Sequence, residues 1–339
     1  MTEIKESTFE SCTSLKKITI PTSVTKICDK SFRECTSLVE ISIPSCVDFI
    51  GESAFEKCTS LHTFTIPPSI TKIENNTFNE CSSMTEITIP STVTHIGCYA
   101  FNSCSLLTQI ILPSFLKEIE KSCFSSCISL TEITIPSTVI KICPYAFQRC
   151  SNLQKVSLSS SLLLIGEYSF NECISLNQIS IPSTVTNIEK YAFSGCSSLK
   201  HIEISQSMKD IGIHAFSRCS SLVEIKFHSS VSNIKKRTFF GCSSLEKISI
   251  PSSVEVIEDE AFKGCCSLVQ ILIPSSVIKI GNEVFKGCSS ISHIYIPSSV
   301  TEIGNSVFTD CISLKEIEIP ESLNIKKIGV DSNIKIIKK

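Results

Sequence analysis

Twenty cysteines and six histidines are the residues of this 339-residue chain with the widest chemical repertoire. Fourteen of the cysteines, from Cys12 to Cys311, hold one strict 23-residue period without a slip. Six stand outside that register: Cys28, Cys46, Cys98, Cys123, Cys143 and Cys266. Such a set could serve disulfide, metal or nucleophile chemistry, and each makes a demand on spacing. If units of this length stack like paired strands, ladder cysteines have Cα atoms within disulfide range. Their Cβ atoms, however, stay about 4.8 Å apart, beyond the usual ~3.5–4.5 Å, and each faces two equivalent neighbours. The ladder therefore reads as a spine of small buried apolar residues with reduced thiols. For metals, Cys123 with Cys127 and His95 with Cys98 are only loose pairs, and no CxxC occurs. No metal site and no cofactor are expected. For catalysis, the histidines (His62, His95, His201, His214, His228, His293) lie in no HExxH, and neither GxSxG nor a P-loop is present. His201 and His293 fall four units apart, about 19 Å in a stack, too far to share a proton relay. No catalytic residue is assigned, and the chain is expected not to be an enzyme.

The elements that position these residues follow from a second ladder. Fourteen phenylalanines, from Phe9 to Phe308, recur with the same period, and each precedes a ladder Cys by three. The unit from Phe239 to Ile257 is representative. Leu245 comes six after the Phe, Ile248 and Ile250 nine and eleven after, Val254 fifteen after and Ile257 eighteen after. In Leu245–Ile250 the period is two, with Ile248 and Ile250 inward and Lys247 and Ser249 outward, which predicts a strand. Pro251 ends it by lacking an N–H, and eleven of the thirteen prolines hold this position. No single unit of this length can bury such a face alone, whereas stacked units form one continuous apolar column. Strands repeated at this interval with no helix-length segment between them must pair in parallel. The return path has room only for short extended pieces and tight turns. Gly often follows the inward Ile, as at Gly51, Gly97, Gly166, Gly212, Gly281 and Gly304, which suggests a bend of unusual backbone angle. The Ser five after most Phe residues is expected to hydrogen-bond in a turn or ladder.

The run Phe-x-x-Cys-x-Ser-Leu-x-x-Ile-x-Ile-Pro-Ser-Ser-Val-x-x-Ile-Gly resembles the BspA-type, or treponemal-type, leucine-rich repeat, over essentially the whole chain. The expected fold is a repeat solenoid, mainly β. More fully, it is a leucine-rich-repeat right-handed solenoid with a parallel β-sheet on one face and short extended or turn segments on the back. Residues 1–320 are expected to hold about 14 repeats. Residues 321–339 read as a degenerate capping coil with a basic tail, because Lys326 holds the Ile position and Ile328 comes two residues late. The resemblance implies protein binding, and a surface antigen or adhesin role in particular. The alternative is an intracellular scaffold or adaptor.

Composition narrows the partners. Formal charge is −2 and charged residues are 19 % of the chain, with no clustered basic face for nucleic acid. No stretch approaches the ~18 apolar residues of a membrane span, so no membrane insertion is expected. The first residues, Met1 to Glu6, hold no apolar run and begin part-way through a unit, as in a short form or a fragment of a longer protein. By that start the chain reads as cytoplasmic; by family resemblance it reads as cell-surface. Uncapped terminal units predict end-to-end self-association through strand edges.

The partner itself is expected on the outward strand positions, eight and ten after each Phe. The second of these columns is almost all Ser or Thr up to Ser180, with Ile111 the exception, and then turns charged, apolar and aromatic. Interfaces favour aromatic and Arg anchors in a polar rim. The expected footprint is therefore His201, Glu203, Glu224, Lys226, Lys247, Gln270, Leu272, His293, Tyr295, Glu316 and Glu318. A glycan-binding role lacks an aromatic platform on the N-terminal part of this face.

Overall fold

The computed structural model describes residues 2–228, 231–324 and 327–339. It is a parallel β-solenoid of about 14 turns, with no α-helix among the described residues. Two compact units are distinguished: Met1–Leu162 with Tyr168–Leu176, and Leu163–Glu167 with Asn177–Lys339. In the first, Lys17–Thr19 pairs in parallel with Glu40–Ser42, Thr63–Thr65 with Glu86–Thr88, and Glu132–Thr134 with Lys155–Ser157. In the second, His201–Ile204, Glu224–Phe227, Lys247–Ser249 and Gln270–Leu272 form one parallel sheet. The pairing is in register at one repeat, as in Lys247↔Gln270, so the inward Ile columns are continuous within each sheet.

The return path carries a ladder of its own. Two-residue strands ending at the inward Ile pair in parallel: Glu3–Ile4, Lys26–Ile27 and Phe49–Ile50 in the first unit, and Asn233–Ile234 through Glu302–Ile303 in the second. Between the two ladders the Phe rings stack. Successive ring centroids within each unit lie 5.1–5.8 Å apart and nearly parallel. That spacing exceeds the strand repeat of about 4.8 Å, so the rings are offset rather than eclipsed, the arrangement their quadrupoles prefer. From Phe32 to Phe308 every ring of this column is buried.

Around each Phe the backbone does something that side-chain pattern does not reveal. The residues two before and two after it are left-handed in every coil. Twenty-four are not glycine and lie at φ 52–61°; Gly195, Gly241, Gly264 and Gly287 complete the set. Each non-glycine case costs roughly 1–2 kcal/mol, which other interactions must offset. The offset is a fully used set of backbone donors. The N–H groups of Tyr99, Phe101 and Ser103 point to the next coil, onto Lys121, Cys123 and Ser125 carbonyls at 2.9, 2.9 and 2.7 Å. The intervening Asn102 and Cys104 N–H groups turn back to Tyr99 and Phe101 at 3.2 Å.

The ladder cysteines are tied into the same turn. Cys127 donates its thiol hydrogen to the Phe101 carbonyl of the coil before, at 3.2 Å. That carbonyl also accepts the Cys104 N–H. The thiol contact recurs in twelve coils at 3.0–3.3 Å. Cys is thus small enough for the spine and also satisfies the second lone pair of a buried carbonyl, which an Ala could not do. Burial pushes these thiols up, to about 12 for Cys127 and Cys242. A protonated, inaccessible thiol is unreactive.

Two local expectations change. Gly51, Gly97, Gly212, Gly281 and Gly304 do not adopt a positive φ. They are needed for close approach: a Cβ on Gly212 would sit 2.4 Å from the Lys190 N and 2.5 Å from the Glu189 carbonyl carbon. The hydroxyl ladder lies four, not five, residues after Phe. Ser105 donates to the Ser82 carbonyl and Ser243 to the Ser220 carbonyl, while the residue at five bonds through its backbone N–H.

At the C-terminal end, Lys335–Lys338 joins the sheet as a parallel strand beside Glu316–Ile319, in the register Glu316↔Lys335. Partners there are 19 positions apart in the chain instead of 23, so this coil is shortened. Ser306 and Phe308 donate their N–H groups to the Lys327 and Ile328 carbonyls, which continue the turn ladder across the shortened coil. The expected irregularity at Lys326 lies outside the described residues; Ile328 is buried.

Candidate interaction face

Each outward position on the strand face is set by the pleat, because an inward Ile on either side turns the residue between them to solvent. His201, Glu203, Lys226, Lys247, Gln270, Leu272, His293 and Tyr295 are all exposed; Glu224, Glu316 and Glu318 are half-buried. The face brings Glu203 and Lys226 side by side in register, and the Lys226 ammonium lies 3.8 Å from both the Glu203 and Glu224 carboxylates. Exposed pairs like these contribute ~0–1 kcal/mol, so the charges remain available to a partner.

Beside them lies a depression of about 600 Å³, whose walls include Lys226, Phe227, His228, Lys247, Val269 and Leu272. Leu272 is 71 % exposed and Tyr295 48 %. Such side chains are exposed at a cost in water, and gain most from a partner that covers them. Phe227, His228 and Val269 were not part of the expected footprint. Phe227 holds the inward position eleven after Phe216, with its half-buried ring edge-on to Phe239, while His228 and Val269 flank the strands, beyond the alternation.

Glu316 and Glu318 are already engaged. Lys335 bonds Glu316 at 2.8 Å, and Lys339 pairs with Glu318. The Lys335 hydrogen bond holds the Glu316 carboxyl below the usual range. The basic tail read from the sequence is therefore a strand and its following residue, whose Lys335 and Lys339 answer two acids of the expected footprint. His293 accepts or donates through Nδ1 to Ser292 Oγ at 2.9 Å.

Other chemistry-bearing groups collect elsewhere. A second depression of about 450 Å³, lined in part by Gln109, Ile111, Glu132, Thr134 and Lys155, falls where Gln109–Ile111 makes no strand. Ile111 there is 86 % exposed. Four of the five tyrosines, Tyr99, Tyr145, Tyr168 and Tyr191, occupy the left-handed position two before Phe. Tyr145 stacks on Tyr168 at 5.0 Å in the first unit, and Tyr191 on His214 at 4.4 Å in the second. This aromatic column lies on the turn edge, off the strand face. Ring against ring, it fastens coils together instead of offering flat platforms to a sugar.

A parallel solenoid with a Phe spine, a Leu column and an exposed strand face defines the leucine-rich-repeat class. The model of the BspA type leucine rich repeat region matches residues 2–130, 117–246 and 232–336, and the chain belongs to that family. It is similar to a leucine-rich repeat protein from Bacteroides ovatus: 30 % identity over 96 % of this chain and 92 % of that one, TM-score 0.82. A leucine rich cell surface protein from Faecalibacterium prausnitzii is 28 % identical over 98 % and 86 % of the two chains, TM-score 0.55. A leucine-rich repeat protein from Eubacterium ventriosum is 26 % identical over 97 % and 84 %, TM-score 0.56. No curated protein matches. Proteins of this class are generally protein-interaction modules. No helix among the described residues is long and apolar enough to cross a membrane.

Proposed function

We propose that this chain is a non-enzymatic module that binds a protein partner through the strand face of its second unit, in the manner of a surface antigen or adhesin. The observation that carries the reading is the pair of exposed anchors, Leu272 and Tyr295, set beside the 600 Å³ depression and the Lys226 charge cluster. The core of the footprint is His201, Glu203, Glu224, Lys226, Lys247, Gln270, Leu272, His293 and Tyr295. Glu316 and Glu318 form its rim, since their charges are matched by Lys335 and Lys339. The surface role is supported by the similarity to the Faecalibacterium cell surface protein. A second reading, an intracellular scaffold, is favoured by the exposed free thiols of Cys46 and Cys266, which an oxidising medium would modify.

Two measurements separate and test these readings. Intact cells expressing the protein are labelled with a membrane-impermeant reagent; labelling is expected for the adhesin, and labelling only after lysis would favour the scaffold. The purified chain and its Leu272→Asp, Tyr295→Ala and Lys226→Glu variants are then compared for binding to the captured partner. Losses of roughly 30-fold or more are expected at Leu272 and Tyr295, the range of interface hot spots, with thermal stability unchanged because the side chains are exposed. Unchanged affinity in all three would remove the footprint. End-to-end self-association through terminal strand edges is part of this proposal. Sedimentation should show mass rising with concentration, and a constant monomer mass would count against it.

A further inference from the structure

Stacking brings two of the out-of-register cysteines, Cys98 and Cys143, onto one shared carboxylate, that of Glu120. Glu118–Ile119 pairs in parallel with Lys141–Ile142, and Cys143 follows directly. Cys143 Sγ lies 3.3 Å from Glu118 Oε2 and 4.0 Å from Glu120 Oε2. Cys98, from the preceding coil, approaches the same Glu120 oxygen at 3.8 Å. One ligand atom from each of Glu118, Glu120 and Cys143 lies within 4.8 Å of the others; Cys143 is buried and both acids are half-buried. The Lys141 ammonium, 3.6 Å from Glu118, is the cation nearest that carboxylate.

We propose that Glu118, Glu120 and Cys143 bind a borderline-soft divalent cation of the zinc class, with solvent completing the shell and the Cys98 thiol, which reaches Glu120 only, outside it. Zinc–sulfur and zinc–oxygen distances of about 2.3 and 2.1 Å place sulfur and oxygen about 3.6 Å apart around a tetrahedral ion. The observed 3.3 and 4.0 Å bracket that value. A hard cation such as calcium wants six or more oxygens, and a mixed carboxylate–thiol set selects against it. The Lys141 ammonium on Glu118 and Lys121 near Cys98 are the cations that a bound ion competes with. The Cys143 thiol keeps its proton and donates it to Glu118. Binding replaces that proton: Cys143–SH and M²⁺ give Cys143–S–M⁺ and H⁺. The ion would join two successive coils, since Glu118 and Glu120 follow Phe101 and Cys143 follows Phe124. No short metal motif can encode such a site, which is why the CxxC criterion passes over it.

The test uses the full chain under reductant, carrying Cys46→Ser and Cys266→Ser to remove the exposed thiols. After treatment with chelator it is titrated with Cd²⁺, whose bond to thiolate gives an ultraviolet charge-transfer band, and with Zn²⁺ in competition. One equivalent of Cd²⁺ is expected to develop the band and Zn²⁺ to suppress it. Glu118→Gln and Glu120→Gln should each weaken binding at least tenfold, Cys143→Ser should abolish the band, and Lys141→Met should strengthen binding by removing the competing ammonium. No band on the folded chain, or an unchanged band in Cys143→Ser, overturns the site. If Cys143→Ser does not fold, the half-exposed Glu118→Gln decides: unchanged Cd²⁺ affinity there overturns it as well.

Discussion

Raising the pH from 8 to above 10 under reductant is expected to unfold the solenoid. The cause is the cysteine spine. Burial raises the ladder thiols from an ordinary 9.0 to about 11 for Cys35 and about 12 for Cys127, Cys242 and Cys311. Seven more, Cys58, Cys81, Cys104, Cys150, Cys219, Cys265 and Cys288, are pushed well above that ordinary value, again by burial first. A group whose folded pKa is raised stabilises the fold fully below its unfolded value and loses that contribution as pH climbs toward the folded one. The window therefore opens near pH 9 and runs to about 12. Between pH 9 and 10 each such thiol withdraws roughly 1 kcal/mol, because the unfolded chain can ionise and the folded chain cannot. Eleven thiols together remove on the order of 10 kcal/mol, as much as the whole stability of an ordinary domain. Surface ion pairs that weaken as lysines deprotonate are a minor contribution beside this. Circular dichroism against pH would follow the loss. Replacing Cys150 and Cys219 by Ala should lower the steepness, and native signal retained at pH 10.5 would contradict the account.

Phe124→Ala is expected to destabilise the first unit by about 3–5 kcal/mol, the usual range for emptying a buried Phe. Phe124 is fully buried and stacks on Phe101 and Phe147, at 5.5 Å in both directions. Its removal strips both neighbours of a ring face and leaves a gap between the two ladders that covalent turns on either side prevent from closing. It also weakens the support for the left-handed Ser122 and Ser126, whose backbones are held in place by the turn around this ring. Phe9→Ala, where among the described residues the half-exposed ring stacks on Phe32 alone, should cost clearly less. Urea unfolding of both variants checks the difference. Equal losses would mean that ring stacking is not what holds the column. In a solenoid each repeat contacts only its neighbours, so hydrogen exchange should show the damage concentrated in coils beside residue 124.

The periodicity alone determined the solenoid. A Phe, a Cys and a Leu column, each repeated fourteen times at one interval with only Met84 and Ile291 replacing Leu, specify stacked coils, and alternation ending at Pro251 and its counterparts specifies a parallel strand in each. These properties depend on residue type and spacing along one chain, which a sequence displays directly. The outward columns were legible for the same reason, so His201 to Tyr295 fall on the face where period two places them. What a side chain meets in the next coil was not legible, because the partner lies about one repeat away in the chain and its direction is a matter of backbone angle. Tertiary structure decided that Cys127 donates to the Phe101 carbonyl, that Ser122 and Tyr145 are left-handed, and that Gly212 yields to a neighbouring backbone. It decided that Lys335 and Lys339 answer Glu316 and Glu318 across a shortened coil. It also gathered Glu118, Glu120 and Cys143, which no local pattern links, because stacking converts a distance of one repeat along the chain into a few ångströms in space.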